Sequence, residues 1–292
     1  MLRRFGTPFS FGSAALRAAP LMVAALALAG CETVGGGSAR DVDPDVYAAR
    51  STDLNSLSQV VASNPSDPQA LNMRGSAYAR LGQYDNAIGD FNRAIQIDGR
   101  FAKAYANRAL AYRSKGDTAS ALADYNRAID ADPNYSAAYV GRGNLYRATG
   151  RIDAALADFD KAIQLDPNNA QAWHNRGLIH QAQGRQDDAI DDFTKATAIS
   201  VTQAEPYIGR GMSYLAQGDY AAAIDDFNTA RTLAPKNIDA WIGRGVAFEK
   251  RNEMGNARAS FAQALNINPG DKRALEGFER VGGKRGETYT EN

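Results

Sequence analysis

The sequence predicts an all-α solenoid of helix-turn-helix units, and three observations carry that prediction. From Pro68 to Asp271 the chain repeats with a period of 34 residues, six times, without insertion or deletion. Within each unit, apolar and small residues recur at spacings of three and four, which is one face of a helix. Gly75, Ala109, Gly143, Gly177, Gly211 and Gly245 stand in one register, each preceded by an arginine. A period in this range marks an array of one supersecondary unit, not a single globular core.

Composition narrows the function classes. The chain has 292 residues, 33 basic and 33 acidic, and a formal net charge of zero. A nucleic-acid binder normally carries a basic excess, so no nucleic-acid partner is expected. One cysteine and two histidines leave no internal disulfide and no metal site of the usual His/Cys type. No nucleophile–base–acid grouping and no phosphate-binding glycine loop occurs, so neither an enzyme nor a cofactor protein is expected. Asp191-Asp192 and Asp225-Asp226 are adjacent rather than opposed, and they belong to the repeat.

Residues 1–30 differ from the rest. Arg3, Arg4 and Arg17 are basic, no acid precedes Glu32, and Ala18 to Gly30 is apolar. Thirteen residues suit a signal-peptide core better than a membrane span. Removing this segment takes three of 33 basic residues and none of 33 acidic ones, leaving a net charge of −3. The run closes Leu28-Ala29-Gly30-Cys31. It resembles the lipobox of bacterial lipoproteins, in which small residues flank the cut and the cysteine thiol carries diacylglycerol. The resemblance implies lipidation at Cys31, and Glu32 after it leans toward the outer membrane.

Residues 31–51, with Gly35-Gly36-Gly37-Ser38, read as a flexible tether. Residues 52–67 read as half a repeat, a lone helix closed by Asn64-Pro65. The six full units follow at 68–101, 102–135, 136–169, 170–203, 204–237 and 238–271. In the third, Ala138, Tyr139, Arg142, Gly143 and Tyr146 form one helix, which Gly150 ends. Ile152, Ala155, Leu156, Phe159, Ala162 and Ile163 form a second, stopped by Asp166-Pro167. Asn252 replaces the turn glycine in the last unit, and Val201 to Pro206 is expected to be an irregular joint. Residues 272–281 read as a polar capping helix, and 282–292 as a disordered tail.

The columns resemble the tetratricopeptide repeat across 204 of the 292 residues. After the Gly/Ala column come Tyr78, Tyr112, Tyr146, His180, Tyr214 and Phe248, then Ala87, Ala121, Ala155, Ala189, Ala223 and Ala257. Phe91, Tyr125, Phe159, Phe193, Phe227 and Phe261 follow, then Ala94, Ala128, Ala162, Ala196, Ala230 and Ala264. Small residues let helices approach, and aromatics fill the wedge beside them. The resemblance implies a right-handed superhelix of six units, with the half repeat and the capping helix at its ends. Lipobox and repeats together resemble NlpI-type tetratricopeptide lipoproteins.

Two further columns track each other. The arginines Arg74, Arg108, Arg142, Arg176, Arg210 and Arg244 run beside Asp90, Asp124, Asp158, Asp192, Asp226 and Ser260. They read as a structural ladder of surface ion pairs, each worth on the order of 0–1 kcal/mol. His180 occupies an aromatic packing place.

In the family, the first helix of each unit lines a concave groove at its second, fifth, ninth, twelfth and thirteenth places. Here these begin polar (Asn72, Ser76, Arg80, Lys103, Arg113) and continue with Val140, Asn144, Arg147, His174, Leu178 and Gln181. They end largely apolar, with Ile208, Met212, Leu215, Ile242, Val246 and the flanking Glu249. An exposed apolar group of this kind is expected to hold a protein or peptide partner, as an amphipathic helix or an extended segment. A second copy of the chain or its own terminal segments are alternative occupants. The implied function is a non-catalytic, lipid-anchored periplasmic adaptor of the bacterial envelope. The alternative is a structural subunit of an envelope assembly or secretion machine.

Overall fold

A computed structural model describes residues 44–284, with side chains from residue 54 onward. The leader 1–30, Cys31, the tether to residue 43 and the tail 285–292 lie outside the described residues. The described chain is fourteen helices and no strand. Helix α1 (Pro44–Ser63) precedes six antiparallel pairs. These are α2 (Pro68–Arg80) with α3 (Tyr84–Ile97), α4 (Ala102–Ser114) with α5 (Thr118–Ala131), and α6 (Ser136–Ala148) with α7 (Ile152–Leu165). Then come α8 (Ala170–Ala182) with α9 (Gln186–Ile199), α10 (Ala204–Gln217) with α11 (Tyr220–Leu233), and α12 (Ile238–Lys250) with α13 (Met254–Ile267). Helix α14 (Lys272–Arg280) closes the array.

Two expectations are corrected here. Residues 44–51, expected as tether, are helical, because Pro44 suits a first helical turn and Val46 to Arg50 continue it without a breaker. The joint at Val201 to Pro206 is regular. Helix α10 begins 34 residues after α8 and 34 before α12, and Pro206 sits in its first turn, where no backbone donor is missed.

The turn inside each unit needs a left-handed residue. Gly150 takes φ 75°, and Arg151 N donates to Tyr146 O at 2.8 Å, closing the helix. At the equivalent place in the last pair, Asn252 has φ 61°, the one non-glycine residue with positive φ among the described residues. Asparagine tolerates that conformation better than other side chains do. Several even-numbered helices start on a side-chain cap. Asp67, for example, accepts from Gln69 N at 2.8 Å and Ala70 N at 3.3 Å.

The core is a stack of rings set between small residues. Phe91, Phe159, Phe193, Phe227 and Phe261 are fully buried, with Tyr125 in the same column. Phe193 is gripped from both sides. A Cβ added at Gly177 would lie 3.0 Å from its ring, and one at Gly209, in the next unit, 2.6 Å. The two glycines let the flanking helices close on the ring. Helix α14 is strongly amphipathic: it buries Ala274, Gly277 and Phe278 and turns Lys272, Glu276 and Glu279 to water.

Candidate functional site

The contact pattern defines an inner layer. Each of α2, α4, α6, α8, α10 and α12 touches the next even-numbered helix, whereas no two odd-numbered helices touch. The even-numbered helices therefore line the concave side.

The arginine column lies between the layers. Arg74, Arg108, Arg142, Arg176 and Arg210 each donate Nε and Nη2 to one aspartate, at 2.6–2.9 Å. This fork geometry is the strong form of an ion pair. In Arg108, Arg142, Arg176 and Arg210 the remaining Nη1 reaches back to the preceding unit, at Asn92, Asn126, Asp160 and Thr194. Arg142 also lies 5.7 and 5.8 Å from the Tyr139 and Tyr146 ring centres. At the far end Arg244 donates to Ser260 Oγ at 2.8 Å. The expectation of surface pairs is overturned: the five aspartates are only 1–5% exposed. Such a pair loses solvation as well as gaining charge contact, so breaking it is costly. The same column holds His180 in place. It is buried, with Nδ1 3.2 Å from Asp192 Oδ2 but not aligned for a hydrogen bond.

The inner face changes character along the array. In the first two units its polar groups satisfy each other: Asn107 Nδ2 donates to Asn72 Oδ1 at 2.9 Å and to Ser76 Oγ at 3.4 Å. In units three and four they do not. Asn144 Oδ1, Arg147 Nε and His174 Nδ1 are shielded from solvent and have no hydrogen-bond partner among the described residues. Gln181 is spent on stacking, with Nε2 2.8 Å from Gly209 O and from Ser213 Oγ.

The apolar half of the expected groove is largely consumed by packing. Val140 and Ile242 are 4% and 8% exposed, so neither presents its side chain to a partner. Ile208, Met212, Leu215 and Val246 are half-buried against the C-terminal core, and Leu178 is half-buried on α8. Glu249 is held by Arg280 of α14, with both carboxylate oxygens at 2.9 Å. The wedge between units demands bulk, and these residues supply it. Sequence reasoning missed Leu110, which is 43% exposed. It holds the ninth place of its unit, the column of Ser76, Asn144, Leu178 and Met212, so the signal was present. Leu110 and Arg113 fall one turn apart on α4, as do Asn144 and Arg147 on α6, and His174 lies on α8, the next inner helix in series.

Burial, with the Arg147 charge adding to it, lowers the His174 pKa from 6.5 to about 4. Its ring lies 5.5 Å from that of Phe193, an apolar neighbour that disfavours the charged form. The unfolded chain binds the extra proton between those two values. The stability attached to this group is therefore complete above about pH 6.5 and lost as pH falls toward about 4. Between pH 7 and pH 4.5 it amounts to about 2–3 kcal/mol. Denaturant titrations at both pH values should show His174→Gln losing less stability on acidification by that amount. Equal losses in the two proteins would show that His174 is solvated.

Family models for the tetratricopeptide repeat match residues 75–116, 143–184, 102–135, 124–157, 170–200 and 208–272, together most of the chain. A curated relative, the small glutamine-rich tetratricopeptide repeat-containing protein 2 of Mycosarcoma maydis, is 34% identical over 53 residues. That stretch is 18% of this chain and 15% of the relative. Among solved structures, the APC/C hetero-tetramer Cut9-Hcn1 matches with a TM-score of 0.69 at 18% identity. The match covers 80% of this chain but only 47% of that one. PilW, described as a widely conserved type IV pilus biogenesis factor, matches with a TM-score of 0.63 at 17% identity. It is covered over 97% of its length and 72% of this chain.

Proposed function

The chain belongs to the tetratricopeptide repeat family, and from that premise we propose that it is a non-catalytic scaffold holding a protein or peptide partner on its inner helical face. The observation that carries this reading is the cluster on α4, α6 and α8. Buried polar atoms without partners each cost on the order of 1–3 kcal/mol, and a bound partner is one way that cost is repaid. Asn144, Arg147 and His174 hold three such atoms on the concave side, beside the exposed Leu110. A partner laid along the groove covers Leu110, and it reaches the three enclosed atoms as their side chains turn toward it.

The address of the scaffold rests on the sequence. An apolar leader ending Leu28-Ala29-Gly30-Cys31 supports acylation at Cys31 and attachment to a bacterial membrane, with Glu32 favouring the outer one. On this reading the array works in the periplasm. Tethering to a surface raises the local concentration of whatever the groove holds. A second reading, a fixed subunit of an envelope assembly machine, draws on the likeness to PilW over nearly that protein's whole length.

Crosslinking of the intact protein in its native membranes tests both. Leu110→Asp should abolish the captured partner, while Met254→Asp, exposed on α13 away from the inner layer, should leave it unchanged. Equal capture by the two variants would remove the inner face as the binding surface. A complex that survives purification in fixed proportion favours the machine subunit, and transient capture favours the adaptor. Cys31→Ala should release the chain from the membrane fraction.

A further inference from the structure

The fourth unit departs from the repeat at three places that come together in space. Its eleventh place holds His180, where the other five units carry Tyr78, Tyr112, Tyr146, Tyr214 and Phe248. Its second helix carries carboxylates at both Asp188 and Asp191, whereas the third unit has Ala154 and Ala157 there and the fifth has Ala222 and Asp225. All three side chains line one cavity of about 510 Å³, within the range of about 300–1,000 Å³ usual for small-ligand sites. Trp173, Arg176 and His180 of α8 line one side of it, and Asp188, Asp191 and Lys195 of α9 the other. At about 100° per residue, the three α8 positions lie on the side of the helix away from Leu178 and the inner face. The cavity is therefore distinct from the groove. A histidine ring stops short of the reach of a tyrosine, and the space follows from that.

We propose that this cavity binds an alkylammonium group, with the ammonium between Asp188 and Asp191 and the alkyl stem against Trp173 and His180. The groups left free there are mostly acceptors. Arg176 is committed to Asp192 and Asp160 and lies over the Trp173 ring at 4.9 Å. Asp191 is exposed and has no cation within 4.0 Å among the described residues. Asp188 gives Oδ2 to Arg185 at 2.7 Å and keeps Oδ1. His180 is 8% exposed, and its buried Nδ1 has no hydrogen-bond partner. Asp192 Oδ2, 3.2 Å from that nitrogen, favours the proton on Nδ1, which leaves Nε2 its lone pair. Aromatic rings beside carboxylates suit a cation. That cation is organic, because no group of three or more His, Cys, Asp or Glu among the described residues is placed to hold a metal ion. Side chains at i and i+3 lie about 5–6 Å apart, a span that one ammonium bridges with two charged hydrogen bonds of about 2.8 Å. Such a group ends a lysine side chain of a partner protein or a free diamine. Lys195, one turn from Asp191, repels it from the rim.

The test is isothermal titration calorimetry on the full chain with cadaverine and with Nα-acetyl-lysine N-methylamide, against 1,5-pentanediol as the uncharged counterpart. The amines should bind and the diol should not. Binding of both amines marks a site that takes a lysine side chain, and binding of cadaverine alone marks one for a free diamine. Asp191→Asn should weaken binding about three- to five-fold, as for one exposed charge pair, and Asp188→Asn together with Asp191→Asn by about ten-fold or more. Lys195→Gln should tighten it about two-fold. His180→Tyr, which restores the ring of the other units, should abolish binding while leaving thermal unfolding at or above the parent temperature. Asp225→Asn, the matching exposed carboxylate of the fifth unit, should change nothing. In a Trp241→Phe background the emission of Trp173 should shift on binding, which places the ligand in this cavity. The proposal is overturned if neither amine binds, if the diol binds as tightly, if His180→Tyr binds undiminished, or if Asp225→Asn costs as much as Asp191→Asn.

Discussion

Arg142→Ala will destabilise the array by about 3–5 kcal/mol, the cost of leaving a buried carboxylate unpaired. Asp158 is 5% exposed and takes both of its hydrogen-bonded donors from Arg142, at 2.8 Å each. The same arginine donates to Asn126 of the preceding unit at 2.8 Å, so its loss also weakens the joint. The reverse change should be milder. Arg142 is about a fifth exposed and can turn its head toward water, and the chain already contains the product: Arg244 opposite Ser260. Asp158→Ser is therefore expected to cost about 1 kcal/mol, as for one modest hydrogen bond. Denaturant unfolding of both variants measures the asymmetry. Equal, sub-kilocalorie losses would mean that the pairs behave as surface pairs after all. Burial pushes the Asp226 carboxyl up even with Arg210 beside it, while the hydrogen bond to Asp226 raises Arg210 in turn.

Phase was legible in the sequence because period and small–large alternation are local. The Gly, Ala and Phe columns must recur wherever one unit stacks on the next. Pairing of the Arg and Asp columns was legible for the same reason, but its depth was not. Burial of Asp158 depends on how closely α6 and α7 approach, which is a tertiary quantity. The groove was read least well. Ile242 and Met212 look alike to a column rule, yet one is buried and the other half-buried, because the wedge toward the C-terminal cap is filled by whatever side chains face it. Leu110 is hidden among polar neighbours, although its column predicts its place. The start of α1 at Pro44 was hidden because a proline and a glycine-rich approach also read as tether.

Phe193→Ala should cost about 3–5 kcal/mol, the usual loss for emptying a fully buried aromatic site, and should do so at the interface between the fourth and fifth units. The ring is wholly buried between Gly177 of its own unit and Gly209 of the next. Both glycines lack a side chain that could relax into the vacancy, and the His174 ring packs from the groove side. In a linear array each unit is stabilised only by its neighbours, so a weak central interface uncouples the two halves. Unfolding should then lose its single transition. Circular dichroism follows every helix, whereas the two tryptophans, Trp173 and Trp241, report from units four and six only. In the parent protein the two curves should coincide, and in Phe193→Ala they should separate. Phe91→Ala, in the first full unit, removes a ring of the same burial but should only fray the end. Two coincident curves for Phe193→Ala would mean that the units are coupled by more than the stacked rings. The bridging arginines, each hydrogen-bonded to helices of two successive units, would then be the source of that coupling.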